Sequence, residues 1–307
     1  MKCFLLVLAV VFACASAMCQ MKTVLVDDPD NFQSTLDAAQ PGWNITMECR
    51  IPGSFTLKAS GRDDCPIMIS SHFGRRGGVS IEGDNDYGLR LLNVSNIILQ
   101  DLYFYRGRKE TEPVKSAVLI DSSSNVIINR CRFDSLLLSS SVYFSGSSSN
   151  VVNNSEFFCK DPEYPSEGPC GNAISFASGD KSSYNTITMS NFSHDFTEPP
   201  IVLSETTIKS TVSYSLFWGA GGSEKCWIDI NGYGNTVDSS LFVNPDNKKM
   251  EYGIDVGGES NTIQNCAFDM NNNLAYAVND RTGNRICASN KAVFSAGVSK
   301  LALDPSC

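Results

Sequence analysis

The sequence predicts an all-β protein, a single-stranded parallel β-helix whose N-terminal end is closed by an amphipathic cap helix. Three observations carry this expectation: a short motif recurs along most of the chain, each copy ends in phenylalanine, and the copies are spaced like the coils of a solenoid. The clearest copy spans residues 124–134 and reads Ser-Asn-Val-Ile-Ile-Asn-Arg-Cys-Arg-Phe-Asp. Variants occupy residues 96–104, 150–157, 185–192, 210–217, 235–242 and 261–268. Their closing residues, Phe104, Phe133, Phe157, Phe192, Phe217, Phe242 and Phe268, are separated by 29, 24, 35, 25, 25 and 26 positions, a solenoid period with insertions in the two long gaps.

Each copy holds two short runs rich in β-branched residues around a polar bend. Such a unit can bury a face only against its neighbours. Alternation along a strand turns each phenylalanine inward, together with the residue two before it: Leu102, Cys131, Ser155, Ser190, Ser215, Ser240 and Cys266. The asparagine that opens a copy suits a left-handed bend, and its amide can bond the backbone of the next coil. A propeller blade needs about 40 residues, and the strands of a sandwich have no fixed self-similar period, so both alternatives fit the spacing poorly.

In chain order, residues 1–17 read as a secretory signal peptide: Lys2, an apolar run over 3–13, then Ala15-Ser16-Ala17. The apolar run is shorter than the roughly 20 residues a membrane span needs, so the expectation is a secreted, extracellular domain over 18–307 with no membrane contact after cleavage. Within it, 18–45 should form the N-terminal cap, 46–284 the coils and 285–307 a C-terminal cap. A strand over 24–26 precedes a helix over 30–40, in which Phe32, Leu36 and Ala39 share one face and Pro41-Gly42 ends the element. That helix should cover the open strand edges of the first coil. Strands over 45–47, 55–57, 66–70 and 79–82 follow, divided by glycine-rich turns.

The chain has 12 cysteines, and ten remain once Cys3 and Cys14 leave with the signal. In an oxidising compartment most should pair. Local pairings favour Cys49–Cys65, Cys159–Cys170 and Cys287–Cys307. Cys131 and Cys266 occupy inward repeat positions many coils apart and should stay buried thiols, which leaves Cys19 and Cys226 without an evident partner. The formal net charge of −9 argues against nucleic acid as a partner.

Asp229 and Asp255 fall at equivalent outward places in Cys226-Trp-Ile-Asp-Ile and Tyr252-Gly-Ile-Asp-Val, so they should stack on adjacent coils about 4.8 Å apart. Like charges that close need a counter-ion, either a metal such as calcium or a nearby base such as Lys225. The outward side of the phenylalanine-bearing strands should present Tyr103, Tyr105, Arg132, Asp134, Glu156, Trp218 and Asp269, with Arg106, Arg108 and His194 beyond. Aromatic rings among charges suit sugars, and an ordinary mixed surface would look the same. Asp134 and Glu156 could also form the carboxylate pair of a glycosidase. Asn44, Asn93, Asn153 and Asn191 head glycosylation sequons, and Asn191 should project from this same face.

Several stretches resemble the opening of β-helical polysaccharide lyases: Phe32 through Ala38-Ala39-Gln40-Pro41-Gly42, Gly53-Ser54-Phe55, Ser60-Gly61 with Cys65-Pro66-Ile67-Met68-Ile69, and Val79-Ser80-Ile81-Glu82-Gly83. With the repeats, the likeness is to the pectate-lyase-like superfamily and covers nearly all of residues 18–307. It implies a right-handed helix, in keeping with the hand of parallel crossovers. For activity the resemblance implies β-elimination, which needs a cation, often calcium, to neutralise a uronate and a Lys or Arg to take the neighbouring proton. In the chondroitinase B and alginate lyase relatives a Lys before an Asn turn is followed one coil later by Arg-His-Gly. Lys181 before Asn185 resembles the first half, whereas the next coil reads Val202-Leu203-Ser204-Glu205. A solvated loop lysine is the plainer reading of Lys181. The functional expectation is therefore contact with an extracellular polysaccharide, by binding or wall association. A uronate-cleaving lyase with Lys181, Arg132 or Glu156 as weak catalytic candidates, and a structural or adhesive surface protein, are the alternatives.

Overall fold

The computed structural model describes residues 19, 21–71, 78–81, 87–106, 114–134, 138–159, 171–193, 196–219, 226–244, 250–269 and 274–293. Within them the chain winds into a right-handed parallel β-solenoid with one short N-terminal α-helix. From the strand Trp43–Met47 onward, successive coils lay one strand into each of three parallel sheets. The first sheet has eleven strands from Lys22–Val26 to Arg285–Ile286, the second ten from Arg50–Pro52 to Lys291–Val293, and the third nine from Phe55–Leu57 to Leu274–Asp280. One coil shows the path: Val114–Asp121 in the third sheet, Ser124–Asn129 in the first, Arg132–Asp134 in the second. The chain then returns to the third sheet, and the number of residues between these two sheets varies: Asp134 is followed by the next third-sheet strand at Leu138, Phe158 by the next at Asn172.

The phenylalanines pack as the repeat requires. Phe104, Phe133, Phe157, Phe192, Phe217, Phe242 and Phe268 are buried and stack ring on ring, with centroid spacings between 4.7 Å and 5.0 Å. In-register pairing sets that stack, because each ring stands one strand spacing above the last. The residues two before them are buried as well, and the serines among them form a ladder. Backbone N–H groups of Cys131, Ser155, Ser190 and Ser215 each donate to the serine Oγ of the following coil at 3.2–3.3 Å.

The opening asparagines meet the expectation in part. Asn96 and Asn125 are themselves left-handed, at φ 59° and 52°, whereas in the later copies the left-handed residue is the one before the opening position: Ser149, Tyr184, Lys209, Gly234 and Ser260 have φ between 50° and 66°. Asn150, Asn185, Asn235 and Asn261 themselves turn inward and are buried. Their carbonyl oxygens take backbone N–H groups from the coil before, as in Asn150 N to Asn185 Oδ1 at 3.1 Å and Asn235 N to Asn261 Oδ1 at 2.8 Å. A bend that interrupts the sheet ladder leaves these N–H groups without strand partners, and the buried amides replace them.

The cap helix is shorter than expected, a 3-10 turn over Pro29–Asn31 followed by α-helix over Phe32–Asp37. Phe32, Leu36 and Ala39 are buried as the pattern implied, and Phe32 meets Phe55 edge-on at 4.9 Å. Gln33 bonds both the N–H and the C=O of Thr56, at 2.9 Å and 3.0 Å, closing the first edge of the third sheet.

Cys65 pairs with Cys19, a correction to the expected Cys49–Cys65 bond. Strand direction explains it. Trp43–Met47 and Ile67–Ser71 run parallel in register, which leaves Cys49 and Cys65 beyond opposite ends, on the order of 20 Å apart. The N-terminal strand instead starts beside Gly42, and Gly42 N–H donates to Pro66 O, so Cys19 arrives at Cys65. Cys49 is a half-buried thiol. Cys159 and Cys287 are disulfide-bonded, while the expected partners Cys170 and Cys307 lie outside the described residues. Cys131 and Cys266 are buried thiols, and burial pushes both up to about 12.

Candidate functional site

The third sheet is built from apolar-x-apolar triplets such as Leu89-Arg90-Leu91, Val142-Tyr143-Phe144, Ile228-Asp229-Ile230 and Ile254-Asp255-Val256. The flanking residues are buried, so the central one faces out. Register aligns Thr56, Arg90, Leu119, Tyr143, Ser175, Val202, Asp229, Asp255 and Asn279 as one outward column. Two hollows lie over this column. The N-terminal one encloses about 450 Å³ and is lined by Tyr87, Arg90, Lys115, Tyr143 and Asn172 with several serines. The other encloses about 560 Å³, with Asn172, Glu198, Val202, Asp229, Glu251, Tyr252, Asp255 and Arg281 on its walls. Asn172 lines both and is fixed by donating to Pro199 O at 2.7 Å, so the two hollows adjoin along the helix axis.

At the N-terminal end Arg90 is tied to Asp121, which strengthens its hold on its proton, and its guanidinium lies 5.9 Å from the Tyr87 ring. The Tyr87 hydroxyl is 3.2 Å from Thr56 Oγ1. That hydrogen bond and the neighbouring Arg90 hold the phenol below its usual range.

In the C-terminal hollow Asp229 and Asp255 are register partners on adjacent coils. Their charge is met by protein groups. Arg281 lies 3.2 Å from Asp255, Asn279 donates to Asp255 at 2.8 Å, and Asn231 donates to Asp229 at 3.0 Å. Lys225 lies outside the described residues. A resident calcium fits this pair poorly: a guanidinium already holds Asp255, and the described residues contain no cluster of three His, Cys, Asp or Glu suited to a metal.

The second sheet gathers most of the wall read from the sequence. Tyr103, Arg132 and Glu156 are neighbours in one outward column, and Tyr105 and Asp134 in the next. Their polar groups face one another. Arg132 Nε is 2.7 Å from both Asp134 oxygens, Tyr103 donates to Asp134 at 2.9 Å, and Glu156 lies 3.8 Å from Arg132. Asp134 is 2% exposed and encircled by these donors, a poor position for a glycosidase acid. Tyr103 and Tyr105 stack at 5.0 Å, and Arg50 covers the Tyr105 ring. Trp218, 44% exposed, follows Asp134, Phe158 and Ser193 in its column, about 14 Å from Asp134 at one strand spacing per coil. Asp269 is exposed two coils further on. Arg108 and His194 fall outside the described residues, as does the side chain of Arg106.

Lys181 is exposed in the turn before Ser182–Ser183 and is absent from the linings of both hollows. Of the sequon residues, Asn93 is exposed in a left-handed bend. Asn44 accepts from Ser70, Asn153 donates to Asn129, and Asn191 accepts from its own sequon serine, Ser193. Asn191 stands beside Glu156 on the second sheet, as expected. Sequence reasoning missed Tyr87, Arg90, Lys115, Tyr143 and Asn172; the triplet with a variable centre was the available signal.

The comparisons with known proteins agree with this architecture. A family model described as a right-handed β-helix region matches residues 67–196. No curated protein matches the sequence. Among solved structures, an alginate lyase from a Paenibacillus species superposes with a TM-score of 0.72 at 18% identity, covering 90% of this chain and 99% of its own. A pectate lyase gives 0.63 at 13% identity, covering 91% and 78%. A tailspike protein from Escherichia coli O157:H7 bacteriophage CAB120 gives 0.61 at 12%, covering 88% and 36%. At these identities the likeness establishes the fold.

Proposed function

We propose that this protein works outside the cell and grips a polysaccharide laid along the groove of the third sheet. The observation that carries this reading is that two hollows, adjoining at Asn172, follow one another over a single outward column parallel to the helix axis. A chain of sugar rings laid along that column meets a new coil about every 4.8 Å, so each ring finds its own outward side chain. Tyr87, Tyr143 and Tyr252 offer faces for C–H stacking, and Arg90 and Lys115 offer donors to carboxylate or sulfate. The structural neighbours, two lyases and a tailspike, support a glycan-contacting role. The leader-like residues 1–17 and the Cys19–Cys65 bond support export.

One observation favours a second reading, cleavage by β-elimination. Tyr87 carries a phenol held below its usual range, beside a fixed guanidinium. Such a pair can take the proton next to a uronate carboxylate that Arg90 helps to hold; the freed electron pair forms the new carbon–carbon double bond as the bond to the departing glycosidic oxygen breaks, and the proton passes from Tyr87 to that oxygen. A single panel tests both readings. Glycan-array binding is followed by incubation with the bound polymers, reading absorbance of a new carbon–carbon double bond. Binding should weaken about 10-fold in Tyr143→Ala, the size of one lost stacking contact. Elimination, where present, should vanish in Tyr87→Phe while binding persists. An empty array overturns the glycan reading.

A further inference from the structure

The first sheet presents an outward face of another kind. Seven of its strands, from Ser95–Gln100 to Thr262–Gln264, pair in register, and the turns on either side of them are described throughout. Their outward positions form two columns. The first holds Ile98, Ile127 and Val151, and continues through Thr186, Thr211, Thr236 and Thr262, so every side chain in it is β-branched. The second lies two residues on and runs from Gln100 to Gln264. It carries amides and hydroxyls, with Asp238 as the one ionisable residue in either column, and Asp238 accepts from Ser239 and Asn265 at 2.9 Å. Large apolar side chains gather here: Ile127 on the face, and Tyr184, Met189, Tyr214 and Tyr233 at its two borders, are between 37% and 63% exposed. None of the exposed large apolar residues lies in the outward column of the third sheet.

We propose that this face is the contact between two copies of the chain, packed sheet against sheet. Three features select a second copy as the occupant. The side chains recur about every 4.8 Å, and another parallel sheet of the same rise is the surface whose gaps they fit, column between columns, as facing sheets interdigitate at about 10 Å. Charge is the second feature. A chain of formal net charge −9 repels its own copies, and it does so least across a face with one carboxylate. The third is area: seven strands, with the width from Tyr184 to Met189, give on the order of 500 Å² per copy and about 1,000 Å² buried in all, the lower edge of specific interfaces. The contact should therefore be reversible, with a Kd on the order of 100 µM. It closes at two copies, because the same face is used by both. With the helix axes parallel or opposed, the two-fold brings the fourth of the seven strands, Thr186–Thr188, against its own copy. Asn153 stands in the second column, so its sequon must be unmodified in the dimer. The face belongs to a different sheet from the hollows, and the proposal is independent of the polysaccharide reading.

Sedimentation velocity of the full chain, from tenfold below that Kd to tenfold above it, tests the proposal. The wild type should pass from monomer to dimer and form nothing larger. Thr186→Lys and Thr186→Glu each set like charges against each other at the two-fold, and each should weaken the dimer at least about 10-fold while the far-ultraviolet circular dichroism spectrum stays that of the parent. Mixed in equal amounts, the two variants should associate again, a result that damage to the fold would not produce. The same swap at Thr188 repeats the measurement in the neighbouring column. Leu241→Lys, at a position 42% exposed on the second sheet, should dimerise like the parent. A wild type that stays monomeric at every concentration overturns the proposal, and leaves the face to a different partner. So do single charges that leave the dimer intact, a mixture that stays monomeric, or a glycan found on Asn153 of the secreted chain by mass spectrometry.

Discussion

Arg132 directs its guanidinium along the protein's own surface: onto Asp134, toward Glu156, and over the Phe158 ring at 4.6 Å. From sequence it reads as a ligand-binding donor, because an outward arginine between tyrosines and acids is what an acidic glycan would need. The structure gives it a supporting duty, since Asp134 is almost wholly removed from water and relies on Arg132 and Tyr103 for donors. Removing the arginine would leave a buried carboxylate short of its main partner. Arg132→Ala should therefore cost about 1.5–3 kcal/mol, the range for hydrogen bonds to charged groups. The double variant Arg132→Ala, Asp134→Ala should recover part of that loss, as expected when the penalty is an unpaired charge. Denaturant melts of the four proteins in the cycle measure it. An Arg132→Ala protein as stable as the parent would return this residue to the ligand-facing role.

The stacked phenylalanines are the element that the sequence displays most openly, and the reason is geometric. Parallel strands in register put like positions on top of one another, so a residue that packs well against its own copy recurs and is visible as a period. Phe217 sits between Phe192 and Phe242, each at 4.7 Å. Phe217→Ala should cost about 3–5 kcal/mol, with a smaller loss for Phe217→Leu, both read from chemical unfolding. A melt within a degree of the parent would contradict the inward register. The groove lacked any such period. Its outward positions hold Arg90, Leu119, Tyr143, Ser175, Val202, Asp229 and Asp255, which share no residue type, and only their buried flanks repeat. A face that meets ligand varies from coil to coil, while one that meets its own copies does not. The asparagine bend was displaced by one position in the later copies because the left-handed residue and the inward amide are adjacent, and asparagine serves in either place: Asn96 and Asn125 in the first, Asn150 and Asn185 in the second. Cys19–Cys65 was hidden because strand direction, which neither cysteine spacing nor composition reveals, decides which thiols meet.

A solenoid has two ends, and at each the strands have neighbours on one side only. At the N-terminal end the third sheet starts with Phe55–Leu57, whose outer edge is met by the helix Phe32–Asp37 through Gln33 and through the buried Phe32 and Leu36. An uncovered edge of this kind is a template for another chain. Because each coil touches only its neighbours, damage to the cap should stay local and leave the remaining coils wound. Leu36→Asp places a charge beneath the helix and should lift it, while Leu36→Ala should loosen it in the same direction with less effect on folding. The expected outcome is a far-ultraviolet circular dichroism spectrum close to the parent's, together with concentration-dependent oligomers seen by light scattering, more of them for Asp than for Ala. Loss of the β spectrum in both variants would mean that the helix nucleates the solenoid rather than closing it. Two monomeric variants with intact spectra would mean that the third sheet's first edge is guarded without Leu36.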